Sequence, residues 1–180
     1  MERIPPNPTP DAKSKVLLVG VKKMLGFTPN LFTTLAHSSS SLGFAVAGFT
    51  GFGESKLSPA LREQVALTVA GANACAYCAS AHTALGKMHK VAESELSRNL
   101  GALSGDRKTQ AALTFARKLV DLRGRVSDAD LEEVRKAGYS DGEILDLVTV
   151  TVFNIFTNYV NHVAGTEIDF PRIETARSAA

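Results

Sequence analysis

The only two cysteines of this 180-residue chain stand three apart, in Cys75-Ala76-Tyr77-Cys78, and His82 follows four residues later. Glu63, twelve residues before Cys75, is the only carboxylate in a long and mostly apolar run. A thiol pair, an imidazole and a carboxylate at these intervals are the parts of a dithiol redox site. Residues three and four apart share one face of a helix, with Cβ atoms about 5–6 Å apart. If Cys75 opens a helix, then Cys75, Cys78 and His82 line one stripe, and the two sulfurs can form a disulfide with modest adjustment. The unpaired N–H groups and positive dipole end of a first helical turn favour thiolate over thiol. By that argument alone Cys75, nearer the N-terminus, is the more acidic of the two.

Glu63 belongs to the preceding helix. Glu63, Ala66, Ala70 and Asn73 recur at helical spacing, so the carboxylate shares a face with small residues that let the next helix pack closely. A carboxylate there loses hydration, which suits it to accept a proton, directly or through His82 and a water.

Blander readings exist for each residue. A structural disulfide between cysteines this close shuts a very small loop and stabilises little. A metal site would recruit His82 and Glu63, but zinc usually takes four well-separated ligands, often from two such cysteine pairs, and here one pair exists. Covalent haem attachment needs a histidine directly after the second cysteine, where Ala79 stands. The pattern therefore calls for no cofactor and no metal. Tyr77 lies off the cysteine stripe and reads as a packing residue or hydrogen-bond donor. Asn158, Asn161 and His162 form a second polar cluster in an apolar segment; buried, they need partners, and they suit a pocket lining or an intersubunit contact, with a structural role the expected one. Loops or helix ends are the expected places for His37 and His89.

The elements that must hold these residues read as helices throughout. Residues 1–10 hold four of the seven prolines and form an extended arm. Asp11 caps a helix ending at Gly26, and Phe27-Thr28-Pro29-Asn30 is a turn. A short helix spans Leu31 to Ala36, and the serine run Ser38 to Ser41 caps another that reaches about Phe52. Ser58-Pro59 opens the best-marked helix, which Gly71-Ala72-Asn73 ends. The cysteine helix then runs from near Cys75 to Met88, followed by Glu93–Leu100, Asp106–Leu122, Asp128–Ala137 after the Ser127 cap, and a long last helix after Ser140. Within that last helix, Val148 to Phe153 alternates and is rich in β-branched residues, which alone suits a strand. Its apolar character continues at helical length to Val160, and no partner strand is visible, so a buried helix at the centre of a bundle is expected. The fold class is all-α, a single domain over residues 11–180 behind the arm 1–10.

Bulk composition excludes several classes. With 44% hydrophobic and 21% charged residues the chain reads as a soluble globular domain. A net charge of +2 and scattered basic residues argue against nucleic acid. The nearest approach to a membrane span, Ile144 to Val163, is interrupted or flanked by Asp146, three asparagines and His162, so no membrane is expected. The N-terminus lacks the apolar core of a signal peptide. A cytoplasmic location follows as the expectation, and there a CxxC is catalytic or metal-binding rather than a structural bridge.

The spacing Glu-x11-Cys-x2-Cys-x3-His, from Glu63 to His82, resembles the alkylhydroperoxidase AhpD-like branch of the carboxymuconolactone decarboxylase superfamily. The ending Asn158 to Pro171, reading Asn-Tyr-Val-Asn-His-Val-Ala-Gly-Thr-Glu-Ile-Asp-Phe-Pro, is similar to the peroxidase-related subgroup of that branch. The resemblance implies an AhpD-like helical bundle that assembles as a trimer or hexamer. It further implies that Cys78 attacks a peroxide, that Cys75 resolves the sulfenic acid as a disulfide, and that Glu63 and His82 relay protons. An external dithiol or disulfide reductant would complete the cycle. In one place the chain departs from the best-studied peroxidase pattern: Tyr77 stands where a histidine precedes the second cysteine. General dithiol–disulfide exchange, or a non-catalytic assembly that binds metal or senses redox state, are the alternative functions.

Overall fold

The computed structural model describes residues 2–175, and the last five residues of the 11–180 domain assignment lie outside them. Nine α-helices and no strand occur among the described residues: α1 (Ala12–Leu25), α2 (Asn30–Leu35), α3 (Ser39–Gly51), α4 (Pro59–Ala72), α5 (Ala76–Met88), α6 (Glu93–Asn99), α7 (Arg107–Asp121), α8 (Asp128–Lys136) and α9 (Asp141–Ala164). A single 3-10 turn, Phe52–Glu54, follows α3. Side-chain caps open most of them. Asp11 Oδ1 accepts from the Ser14 N–H at 2.6 Å, Ser58 Oγ accepts from Leu61 at 3.2 Å ahead of Pro59, and Ser127 and Ser140 form capping boxes with Asp130 and Glu143. Gly26 at φ 83° and Gly165 at φ 62° close α1 and α9 in the left-handed region.

The alternating run Val148 to Phe153 lies inside α9, as helix. Its burial explains why. Leu147, Val150, Thr151, Asn154, Asn158 and Asn161 point inward at helical spacing, whereas Val152 faces out. Length and composition would let α9 cross a membrane. Packed against α4, α5 and α7, it buries one face in the bundle and leaves Leu145, Val152, Tyr159 and Val163 exposed, which corrects the expectation of a helix enclosed at the centre.

Helix α4 is the shared wall of two apolar clusters. One joins Val65 to residues of α7, α8 and α9; the other joins Ala70 to α1, α2, α3 and α5 and contains Cys75, Tyr77 and Cys78. The thiol pair is thus built into a core and not into a surface loop. The arm and the C-terminal segment strap this second cluster. Arg3 and Ile4 N–H groups both donate to Ala164 O, and Asn7 reaches Thr33 O and Ala36 O. Asp169 accepts from the Asn30 N–H at 2.7 Å, and Ile173 N–H donates to Ser80 Oγ at 2.9 Å.

Candidate active site

The reversal between α4 and α5 places the first cysteine. Ala74 N–H donates to Gly71 O at 3.3 Å and Cys75 N–H to Ala70 O at 2.9 Å, the two bonds of a Schellman motif that ends α4. Ala74 takes the left-handed position at φ 52°, where glycine is usual. Cys75, the last residue of that motif, is at once the N-cap of α5, and its Sγ accepts from the Cys78 N–H at 3.4 Å. Cys75 therefore sits just before the helix; Cys78 and His82, four apart, share a face of α5 itself. Gly71 is required for a separate reason: a Cβ there would lie 1.9 Å from Leu100 O at the end of α6.

The two sulfurs are 2.6 Å apart, both as free cysteines, at 1% and 2% exposure. Their ionisation is shared. A hydrogen bond from Cys78 lowers the Cys75 thiol below its ordinary value, helped by the backbone N–H groups of Cys78 and Tyr77. Burial first, then the neighbouring Cys75, push Cys78 well up; the hydrogen bond from Asn161 and the nearby Asn158 amide oppose that rise. The first proton thus leaves from Cys75, in line with the helix-terminus argument.

His82 Nδ1 meets Glu63 Oε2 at 2.7 Å, with side chains 11% and 15% exposed. The sequence-derived group is therefore brought together as two touching pairs, Cys75–Cys78 and Glu63–His82. Helix α4 supplies the carboxylate and α5 the imidazole, packed closely through the small Ala66 and Ala70. His82 divides two small cavities. One, about 40 Å³, is apolar, lined by Cys78, His82, Phe32, Phe49, Leu85 and Phe170 among others; the other, about 100 Å³, holds Glu63, His82, Arg62 and Asn154. A third space of about 470 Å³ is polar and borders Cys75 instead, between Asn161, His162, Thr166, Glu167 and Arg172. The two cysteines face different spaces.

Tyr77 packs edge-on against Phe170 at 5.8 Å and its hydroxyl accepts from the Leu31 N–H at 3.2 Å; burial drives its ionisation far upward, so it stays neutral. Two residues for which a structural role was expected come up to the thiols. Asn161 Nδ2 donates to Cys78 Sγ at 3.3 Å, and Asn158 sits beside it, accepting from Asn73 Nδ2 at 3.0 Å. An Asn-x2-Asn pair on an otherwise apolar helix was the available signal. His162, grouped with them in the sequence, is exposed because the helix turns it outward, which corrects its expected burial. His37 ends a short turn after α2 and contacts Pro5 O at 3.0 Å; His89 caps α5. Among the described residues no three His, Cys, Asp or Glu side chains cluster closely enough to hold a metal ion.

Residues 41–118 match the carboxymuconolactone decarboxylase family. The whole chain is similar to the crystal structure of an uncharacterized peroxidase-related protein from Silicibacter sp. TM1040, with 28% identity and a TM-score of 0.79 over 89% of this chain and 86% of that one. An alkylhydroperoxidase AhpD core from Ralstonia eutropha JMP134, also a peroxidase-related protein, has 24% identity and a TM-score of 0.81 over 94% of each chain. The debrominase Bmp8 in complex with 2,3,4-tribromopyrrole has 18% identity and a TM-score of 0.78 over 92% of this chain and 91% of that one. At these identities the last two speak for the fold alone. No curated protein matches the chain.

Proposed function

From the match of residues 41–118 to the carboxymuconolactone decarboxylase family, we propose that the chain is a thiol-dependent hydroperoxide reductase of that superfamily working through Cys75 and Cys78. The observation that carries this reading is the pair of sulfurs 2.6 Å apart in a buried pocket, next to a Glu63–His82 contact of 2.7 Å. Likeness to a peroxidase-related protein of 28% identity supports it.

In the proposed cycle, the peroxide ROOH enters the apolar cavity, where only Cys78 of the two cysteines stands. Cys78 Sγ attacks the terminal oxygen, the O–O bond breaks, and the S–O bond of a sulfenic acid forms. The Cys78 proton passes to the Cys75 thiolate, its hydrogen-bond partner. The leaving alkoxide takes a proton through the His82–Glu63 pair, in which Glu63 orients the imidazole and resupplies it from its own cavity. Cys75 sulfur then displaces the sulfenic oxygen, its proton leaving with that oxygen as water, and the disulfide forms. One peroxide is reduced to an alcohol and water, and two thiols are oxidised. An external dithiol, approaching through the polar cleft at Cys75, exchanges with the disulfide to restore both thiols. This order reconciles the lower ionisation of Cys75 with attack by Cys78: the first acts as the base for the second. The proposal includes a cytoplasmic setting, whose thiol pool keeps such a pair reduced.

Self-association into a trimer or hexamer is a further part of the proposal. Leu145, Val152, Tyr159 and Val163 recur at seven, seven and four residues along the solvent face of α9, all exposed, with Phe44 beside them. Phe44, Val152, Phe153 and Phe156 also border an apolar groove of about 570 Å³. A second copy presenting the same face would cover both.

Steady-state peroxide consumption by wild type and Cys78→Ser tests the activity; the expected result is loss in the variant, and equal consumption by both removes the claim. General disulfide exchange is a second reading, favoured by the polar cleft over Cys75. Trapping a sulfenic acid at Cys78 after peroxide treatment separates the two, since exchange alone forms none.

A further inference from the structure

Helix α9 carries a pair of amides whose position no packing argument explains. Asn158 is fully buried and Asn161 is 4% exposed, in the middle of the apolar cluster that holds the thiols. Buried amides are retained at low cost only where their donors and acceptors are met. Here they are met incompletely, and in an oriented way. Asn73, at the end of α4, donates Nδ2 to Asn158 Oδ1 at 3.0 Å, which fixes which end of the Asn158 amide is used. Its remaining end, Nδ2, is buried without a partner beside the Cys78 sulfur. One helical turn on, Asn161 Nδ2 donates to that same sulfur at 3.3 Å.

We infer that Asn161 and Asn158 form a two-amide cradle that stabilises negative charge on Cys78 Sγ, making Asn161 a further catalytic residue and Asn158 its companion. The inference rests on the reading that Cys78 is the attacking sulfur.

The physical case is one of differential stabilisation. A neutral thiol is a weak acceptor, so the cradle gains little while Cys78 is protonated. Once the proton passes to Cys75, the sulfur bears charge in a water-excluded site, where preorganised N–H donors act most strongly. The unpartnered Asn158 donor then gains the acceptor it lacks. Among the neighbouring ionisable groups, Cys75 alone shares that role. Cys75, the N-cap of α5, is anionic while Cys78 is protonated and, once it holds the proton, donates across the 2.6 Å between the sulfurs. On α5, Tyr77 is neutral, and His82 is engaged at Nδ1 with Glu63 of α4. Asp169 of the C-terminal segment acts on Tyr77, and His162 of α9 faces the cleft. Burial opposes the thiolate at Cys78 and the two amides are the opposing donors, so their removal leaves the burial penalty uncompensated.

The test isolates Cys78 by working in a Cys75→Ser background and follows thiolate ultraviolet absorbance against pH, which needs neither peroxide nor reagent access. Adding Asn161→Leu is expected to move the midpoint upward, and Asn161→Asp, which is isosteric and brings a like charge, to move it further. Asn161→Gln, which keeps an amide, is expected to move it least. In the otherwise native chain, Asn161→Asp is expected to slow the oxidation of Cys78 by peroxide about 10²-fold, the effect of deleting one preorganised donor. Circular dichroism confirms that each variant is folded; if Asn161→Leu does not fold, the isosteric Asn161→Asp carries the test. A midpoint unchanged or lowered in Asn161→Asp overturns the cradle, whether or not peroxide is consumed. A raised midpoint together with no peroxide consumption by wild type upholds the cradle and sinks the reductase reading instead.

Discussion

At Cys75 and Cys78 the chain solves a conflict between burial and charge by sharing one proton between two sulfurs. The pair is almost wholly inside the core, yet Cys75 ends α4, starts α5 and receives the Cys78 backbone N–H. Its thiol is lowered by hydrogen bonding, chiefly from Cys78, so as pH rises the pair loses its first proton before an ordinary thiol would. Just below the pH at which an ordinary thiol ionises, the reduced wild type is expected to show thiolate absorbance that Cys75→Ser lacks; equal absorbance in both would contradict the assignment of the first ionisation. Replacing Glu63 by Gln keeps the shape and removes the proton acceptor. Single-turnover oxidation by peroxide should then slow by about 10²-fold or more, with the thiolate absorbance of the pair retained. Cys75, Cys78, Glu63 and His82 were legible in the sequence because each is chemically distinctive at a fixed interval. Asn158 and Asn161 were not, because an asparagine on an apolar helix has many uses, and only the packing of α9 on α5 reveals the one made here.

Helix boundaries were legible wherever a side chain closes the end. The Asp11, Ser58, Ser127 and Ser140 caps and the Gly26 stop each mark an observed helix end to within a residue or so. The strand-like run in α9 was ambiguous locally, since alternation over six residues fits either period; inward positions at helical spacing, with Val152 left outside, show which period is used. What no cap signals is the Schellman reversal at Ala74, because alanine lacks the glycine signature of the left-handed position. Ala74→Gly should therefore stabilise the fold by about 0.5–1 kcal/mol, the left-handed penalty removed less the entropy that glycine adds to the unfolded chain. Thermal unfolding checks this, and a lower Tm would contradict it. Gly71→Ala should act in the opposite sense. Its Cβ would sit 1.9 Å from Leu100 O, so α4 and α6 must part, at about 2–3 kcal/mol. The shift lies four residues from Cys75, so peroxide oxidation of the pair should fall along with Tm.

On the scale of the whole molecule, the all-α single-domain class was readable from periodicity, and the bundle resembles solved AhpD-like structures over most of its length. What cannot be read from a linear pattern is which apolar positions of α9 end up outward. Leu145, Val152, Tyr159 and Val163 differ from their buried neighbours only in where the bundle leaves a gap. Val152→Glu places a charge at the centre of that face. It should convert the proposed oligomer to a smaller species in light scattering while leaving far-ultraviolet circular dichroism unchanged; an unaltered mass would remove α9 from the interface. The arm and the C-terminal segment close over the site at the other side, where Phe170 borders the apolar cavity. Phe170→Ala should enlarge that cavity and favour bulkier hydroperoxides over small ones in kcat/KM.

The account turns on whether the two sulfurs accept two electrons from one peroxide. Thiols are counted in the fully reduced protein before and after one equivalent of hydroperoxide, and the product is mapped by peptide mass spectrometry. The expected result is two thiols lost per chain, one alcohol formed and a single Cys75–Cys78 disulfide. Unchanged thiols, or oxidation confined to one sulfur with no disulfide, would contradict it.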